Sequence, residues 1–73
     1  MIWLIIITFN LGGQMYQTTG PLDREICLGA VAEARAGRPP IISDAGGEYE
    51  IVSVSCRGPD GTESTAMVME VRS

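Results

Sequence analysis

The chain contains no histidine and no lysine, and all five of its basic residues are arginine. Without histidine there is no Ser-His or Cys-His pair for nucleophilic catalysis. Without lysine there is no Schiff-base chemistry and no phosphate-binding P-loop. Two cysteines and no histidine do not make a tetrahedral zinc site, and neither metal nor cofactor is expected. The cysteines are not arranged as C-x-x-C, and no lysine or histidine stands near to lower a thiol pKa, so redox catalysis is not indicated. Bases are outnumbered by nine acids, for a formal charge of −4. No basic stripe is available for a nucleic-acid backbone, whereas an acidic surface suits a positively charged partner. Aromatic residues are few, with one Phe, one Trp and two Tyr, so the core must rest on Ile, Val, Leu, Met and Ala.

What remains is a globular composition, 45% hydrophobic and 19% charged, in 73 residues. That length supports one domain, residues 1–73. A chain so short buries only about 60% of the surface its unfolded form exposes. It therefore needs a disulfide, a metal or a partner subunit to add to its core.

The opening "MIWLIIITFN" is apolar in eight of its first nine positions. A membrane-spanning helix needs about 20 apolar residues, and here Asn10, Gly12, Gly13 and Gln14 end the run. A basic n-region and a small-residue cleavage site, which mark a secretory signal, are both missing. Ile2, Ile5, Ile6, Ile7 and Thr8 are β-branched and favour a pleated strand. Residues 2–9 are thus expected to form a central strand. Trp3, Ile5, Ile7 and Phe9 face one side of it, and Ile2, Leu4 and Ile6 the other. Both sides want cover, and one helix covers one of them. The second is expected to lie under a lid formed by residues 38–47, which hold Ile41 and Ile42, or in a two-fold homodimer. On that reading Ile6→Asp unfolds the domain.

Asn10-Leu11-Gly12-Gly13 is a turn and residues 14–19 a second strand, which makes a β-hairpin. Gly20-Pro21 punctuates the chain. Asp23 is positioned as an N-cap, with Glu25 in the first turn of a helix that runs to about Ala36. Ile26, Cys27, Ala30, Val31 and Ala34 form its apolar stripe. Gly37 is a C-cap candidate and Pro39-Pro40 forbid continuation. Residues 48–57 alternate as a strand, with Val52, Val54 and Cys56 on one face and Ile51, Ser53 and Ser55 on the other. Gly58-Pro59-Asp60-Gly61 is a turn, and residues 62–71 return as a last strand. The order β-β-α-β-β predicts an α+β fold, a four-stranded antiparallel sheet with one helix on one face.

Cys27 on the helix stripe and Cys56 on the strand face both point into the helix–sheet interface. A Cys27–Cys56 bridge would close a loop of about 30 residues and contribute roughly 3–4 kcal/mol on the chain-entropy model. The alternative is two buried, reduced thiols that pack as small hydrophobes. A cytosolic location favours the second and an oxidising one the first.

The remaining polar chemistry is carboxylate. Asp44, Glu48 and Glu50 form the densest acidic group, and Asp60 and Glu63 flank the last turn. Glu48 and Glu50 share a strand face at about 6.7 Å, and paired carboxylates can serve glycoside hydrolysis. So short a chain offers no cleft to hold a sugar, so a non-enzyme is expected. Carboxylates spaced along strands and loops can instead imitate a row of phosphates and occupy a basic groove.

A hydrophobic first strand, a Gly-Pro-Leu turn before a Cys-bearing helix ("GPLDREICLGAVAEARAG") and a second Cys on a late strand ("VSVSCR") together resemble small acidic phage proteins. Those include the anti-CRISPR inhibitors. The resemblance implies a stoichiometric inhibitor without an active site. It would act in the cytoplasm of the host cell on the basic, DNA-binding surface of a CRISPR effector complex, and block target recognition without touching nucleic acid or membrane itself. Asp44, Glu48, Glu50, Asp60 and Glu63 are the residues expected to make the contact. The competing reading is a disulfide-stapled structural or periplasmic domain with no inhibitory role.

Overall fold

The computed structural model describes residues 2–38 and 49–68. Four strands and one helix follow in the order β1 (Trp3–Leu11), β2 (Gln14–Leu22), α1 (Arg24–Arg35), β3 (Tyr49–Arg57) and β4 (Glu63–Met67). The strands form one antiparallel sheet in the order β2-β1-β3-β4. The expected α+β architecture is the one present, with β1 central. Residues 69–73, the expected end of the last strand, and residues 39–48, nearly all of the expected lid, lie outside the described residues.

The β1–β2 hairpin owes its register to Gly12 and Gly13, whose φ values of 62° and 83° suit the two positive-φ positions of a tight hairpin turn. Its pairing runs unbroken from Leu11–Gln14 to Trp3–Leu22. Gly20-Pro21 does not end β2, as the sequence suggests; the strand continues through it to Leu22. β2 is an edge strand, where a proline without an N–H is tolerated.

Helix α1 starts after Asp23, whose backbone carbonyl accepts from the Cys27 amide at 2.8 Å while its carboxylate makes no capping bond. It ends on Gly37, at φ 90°. The Arg38 amide reaches the Glu33 carbonyl at 2.8 Å and the Gly37 amide the Ala34 carbonyl at 3.1 Å, which is a Schellman closure. Cys27, Val31 and Ala34 are the helix residues that are buried. Ile26, placed in the stripe by its spacing, is instead 57% exposed. Positions i, i+4 and i+7 suffice for a helix that lies over β1, β3 and β4, and Ile26 flanks that line.

The core between helix and sheet consists of Trp3, Ile7, Phe9, Cys27, Val31, Ala34, Ile51, Val54, Cys56 and Ala66. Ile51 was expected on the opposite face from Val54 and Cys56. The register explains the difference: Thr8 pairs with Ser53 but Phe9 with Ile51, so Val52 is an extra residue in β3. Such a bulge reverses the alternation beyond it. Ile51 turns into the core, Val52 is left half-buried, and Glu50 moves to the face away from the helix, opposite Asn10.

Gly58 is buried for a reason of space. A Cβ there would lie 2.8, 2.9 and 3.0 Å from three atoms of the Trp3 ring, over which the Arg24 guanidinium also sits, 5.9 Å from the ring centroid. Gly58→Ala is expected to destabilise the fold by about 1–3 kcal/mol, the usual cost of overpacking. The measurement is a urea unfolding midpoint. An unchanged midpoint would show that the ring yields freely.

Candidate functional site

Among the described residues none lies over the sheet face away from α1, which is here called the open face. Across it the register sets four rows: Pro21–Leu4–Arg57–Glu63, Thr19–Ile6–Ser55–Thr65, Gln17–Thr8–Ser53–Met67 and Met15–Asn10–Glu50. Hydroxyls and amides dominate. Ser55 Oγ and Thr65 Oγ1 are 2.9 Å apart, and Gln17 Nε2 donates to Thr8 Oγ1 at 3.4 Å. Leu4 is 43% exposed, whereas Ile6 is half-buried between Thr19 and Ser55. The apolar stripe of Leu4 and Ile6 therefore does not widen into an apolar face, because Thr19 and Ser55 flank Ile6 and Arg57 lies beside Leu4.

Of the acidic residues expected to carry a contact, the three that are described, Glu50, Asp60 and Glu63, are dispersed. Asp44 and Glu48 lie outside the described residues. Glu50 sits in the last row of the open face and Glu63 in the first, which the length of β3 separates by about 23 Å at 3.3 Å per residue. Both side chains are exposed, and Glu63 accepts from Arg57 Nη2 at 3.3 Å. Asp60, on the β3–β4 turn, accepts from the Thr62 amide at 3.0 Å. The Thr62 backbone amide, then its side chain, hold the Asp60 carboxyl below the ordinary aspartate range. The other described acids sit on the helix or beside it. Glu33 pairs with Arg38 at 2.6 Å, and that hydrogen bond lowers its pKa. Asp23 and Glu25 lie at the helix N-terminus.

Cys27 and Cys56 are joined by a disulfide, with Cα atoms 5.8 Å apart, and both are fully buried. Among the described residues no group of three His, Cys, Asp or Glu side chains is placed to hold a metal. No described helix is long and apolar enough to cross a membrane.

Sequence reasoning missed the β1–β2 hairpin as a surface. Tyr16 stacks on Phe9 with centroids 5.7 Å apart, Tyr49 meets Phe9 edge-on at 6.2 Å, and Met15 and Tyr16 are both exposed. Every β2 residue from Gln14 to Thr19 is exposed. A signal was present in the chain: no charged residue precedes Asp23. Comparison with protein-family models, curated proteins and solved structures gives no match.

Proposed function

We propose that the chain is a non-enzymatic binding protein. It would act as an inhibitor by covering the basic, DNA-binding surface of a host protein complex, in the manner of the anti-CRISPR proteins it resembles. The observation that supports this reading is the open sheet face. It is uncovered by the helix, lined by hydroxyls that hydrogen-bond readily, and carries carboxylates at both ends. A face of that kind meets a cationic surface without an apolar core of its own, and the chain's charge of −4 would steer the encounter. The CRISPR effector as partner rests on the resemblance alone.

The test is binding to a candidate effector complex at two salt concentrations, with and without competing DNA. Charge reversal at Asp44, Glu48 and Glu50 together is expected to abolish binding and leave the circular dichroism spectrum unchanged. Competition by DNA and weakening by salt are expected for the wild type. Undiminished binding by the reversal variant, without competition from DNA, would overturn the reading.

The buried Cys27–Cys56 bridge favours a second reading, a stapled domain that works in an oxidising compartment. The redox state of the two thiols in the native host separates the two: an obligate bridge supports the second, and free thiols the first.

A further inference from the structure

We infer that the free edge of β2 pairs antiparallel with the same edge of a second copy of this chain, about a two-fold axis at Gln17.

The two edges of the sheet are built differently. β4 spans five residues, Glu63–Met67, and begins on a charged one. Its outward carbonyl at Thr65 is occupied, because Arg35 Nη2 reaches down from the helix and donates to it at 3.0 Å. A short length, a charge and a covering side chain are the usual protections of an edge. Among the described residues β2 has none of them along residues 14–20. It is nine residues long, its pairing to β1 contains no bulge, and it carries no charge. Pro21, near one end, is its single blocking residue.

The backbone groups on that edge follow from the turn. A two-residue hairpin loop closes on a hydrogen-bonded pair, here Leu11–Gln14. Gln14, Tyr16, Thr18, Gly20 and Leu22 therefore direct their backbone groups to β1. Met15, Gln17 and Thr19 direct both N–H and C=O outward, and Pro21 directs its C=O. The place of Pro21, which has no N–H, agrees with this parity.

That edge is complementary to itself. An antiparallel pairing centred on Gln17 sets Met15 against the partner's Thr19, Gln17 against the partner's Gln17, and Thr19 against the partner's Met15. Each pair exchanges two N–H···O bonds. On the helix side, Tyr16 comes opposite the partner's Thr18 and diagonal to the partner's Gly20, which leaves space for its ring. A second copy fits better than a basic partner because of charge. Two chains of −4 repel through most of their surface, and the uncharged β1–β2 hairpin is where that repulsion is least. A cationic partner would find no carboxylate there. The inference is independent of the proposed inhibition, since the axis lies at the edge and leaves the open faces of both copies free.

The experiment is sedimentation velocity on the whole chain from micromolar to millimolar concentration, with two variants. Wild type is expected to reach twice the chain mass. Gln17→Glu, nearly isosteric, places two carboxylates opposite each other across the axis and is expected to return the mass to that of one chain, with the thermal unfolding of the dilute protein unchanged. Gln17→Cys is expected to cross-link to its copy under mild oxidation, because a hydrogen-bonded antiparallel pair sets its Cα atoms about 5.5 Å apart. Thr65→Cys, on the other edge, is expected not to. A wild type that stays monomeric throughout would overturn the inference. So would a dimer that survives Gln17→Glu, or equal cross-linking at position 65.

Discussion

Replacing Cys27 and Cys56 together by serine lowers the unfolding free energy by ~3.5 kcal/mol on the chain-entropy model for a cross-link of this span. The two residues are 29 positions apart, and the bridge removes that loop's freedom from the unfolded ensemble. For a chain of 73 residues the whole stability is about 4–11 kcal/mol at 0.05–0.15 kcal/mol per residue, so the loss is a large share of it. Both sites are fully buried, and a serine hydroxyl without a partner there adds to the cost. The measurement is a denaturant midpoint with and without reductant. Wild type is expected to fall on reduction toward the double variant, and the variant is expected not to respond. A wild-type midpoint indifferent to reductant would refute the account.

Ile7→Asp is expected to abolish cooperative unfolding altogether, whereas Ile6→Asp, one residue away, is expected to leave a folded protein. Ile7 is 9% exposed on the helix side, paired with Val54 and Thr18. A carboxylate there has no partner within the core, and an uncompensated buried charge costs several kcal/mol, comparable to the stability available. Ile6 lies on the open face, half-buried between Thr19 and Ser55, where an aspartate reaches water. Circular dichroism melts of the two variants decide it. Unfolding by both would mean that the open face is covered in solution, as the reading of a doubly apolar β1 requires.

That pair of residues shows where the sequence is legible. The period-2 alternation of β1 correctly divides Trp3, Ile7 and Phe9 from Ile2, Leu4 and Ile6, since strand geometry alone sets it. What the second set meets depends on cross-strand partners. Thr19, Ser55 and Thr65 become its neighbours only once register is known. The disulfide was readable as one of two alternatives because Cys27 and Cys56 each obey the periodicity of their own element. The bulge at Val52 was not. Nothing in "EYEIVSVSC" marks the extra residue, and it is the pairing of Phe9 with Ile51 that turns Glu50 away from the helix. The acidic group near the centre of the chain was legible as composition. The distance between Glu50 and Glu63 was not, because the length of β3 lies between their rows and the register alone sets it.

The strand order has a consequence for how the fold is reached. β1 with β2, and β3 with β4, are local hairpins closed by short turns. The centre of the sheet joins Leu11 to Tyr49 and Leu4 to Arg57, pairs that are remote along the chain and costly in loop closure. The helix is made between the two hairpins and packs on β1, β3 and β4 at once. It has no complete seat until the central seam has closed. Neither half of the molecule encloses a core by itself, so the two hairpins and the helix form a single cooperative unit.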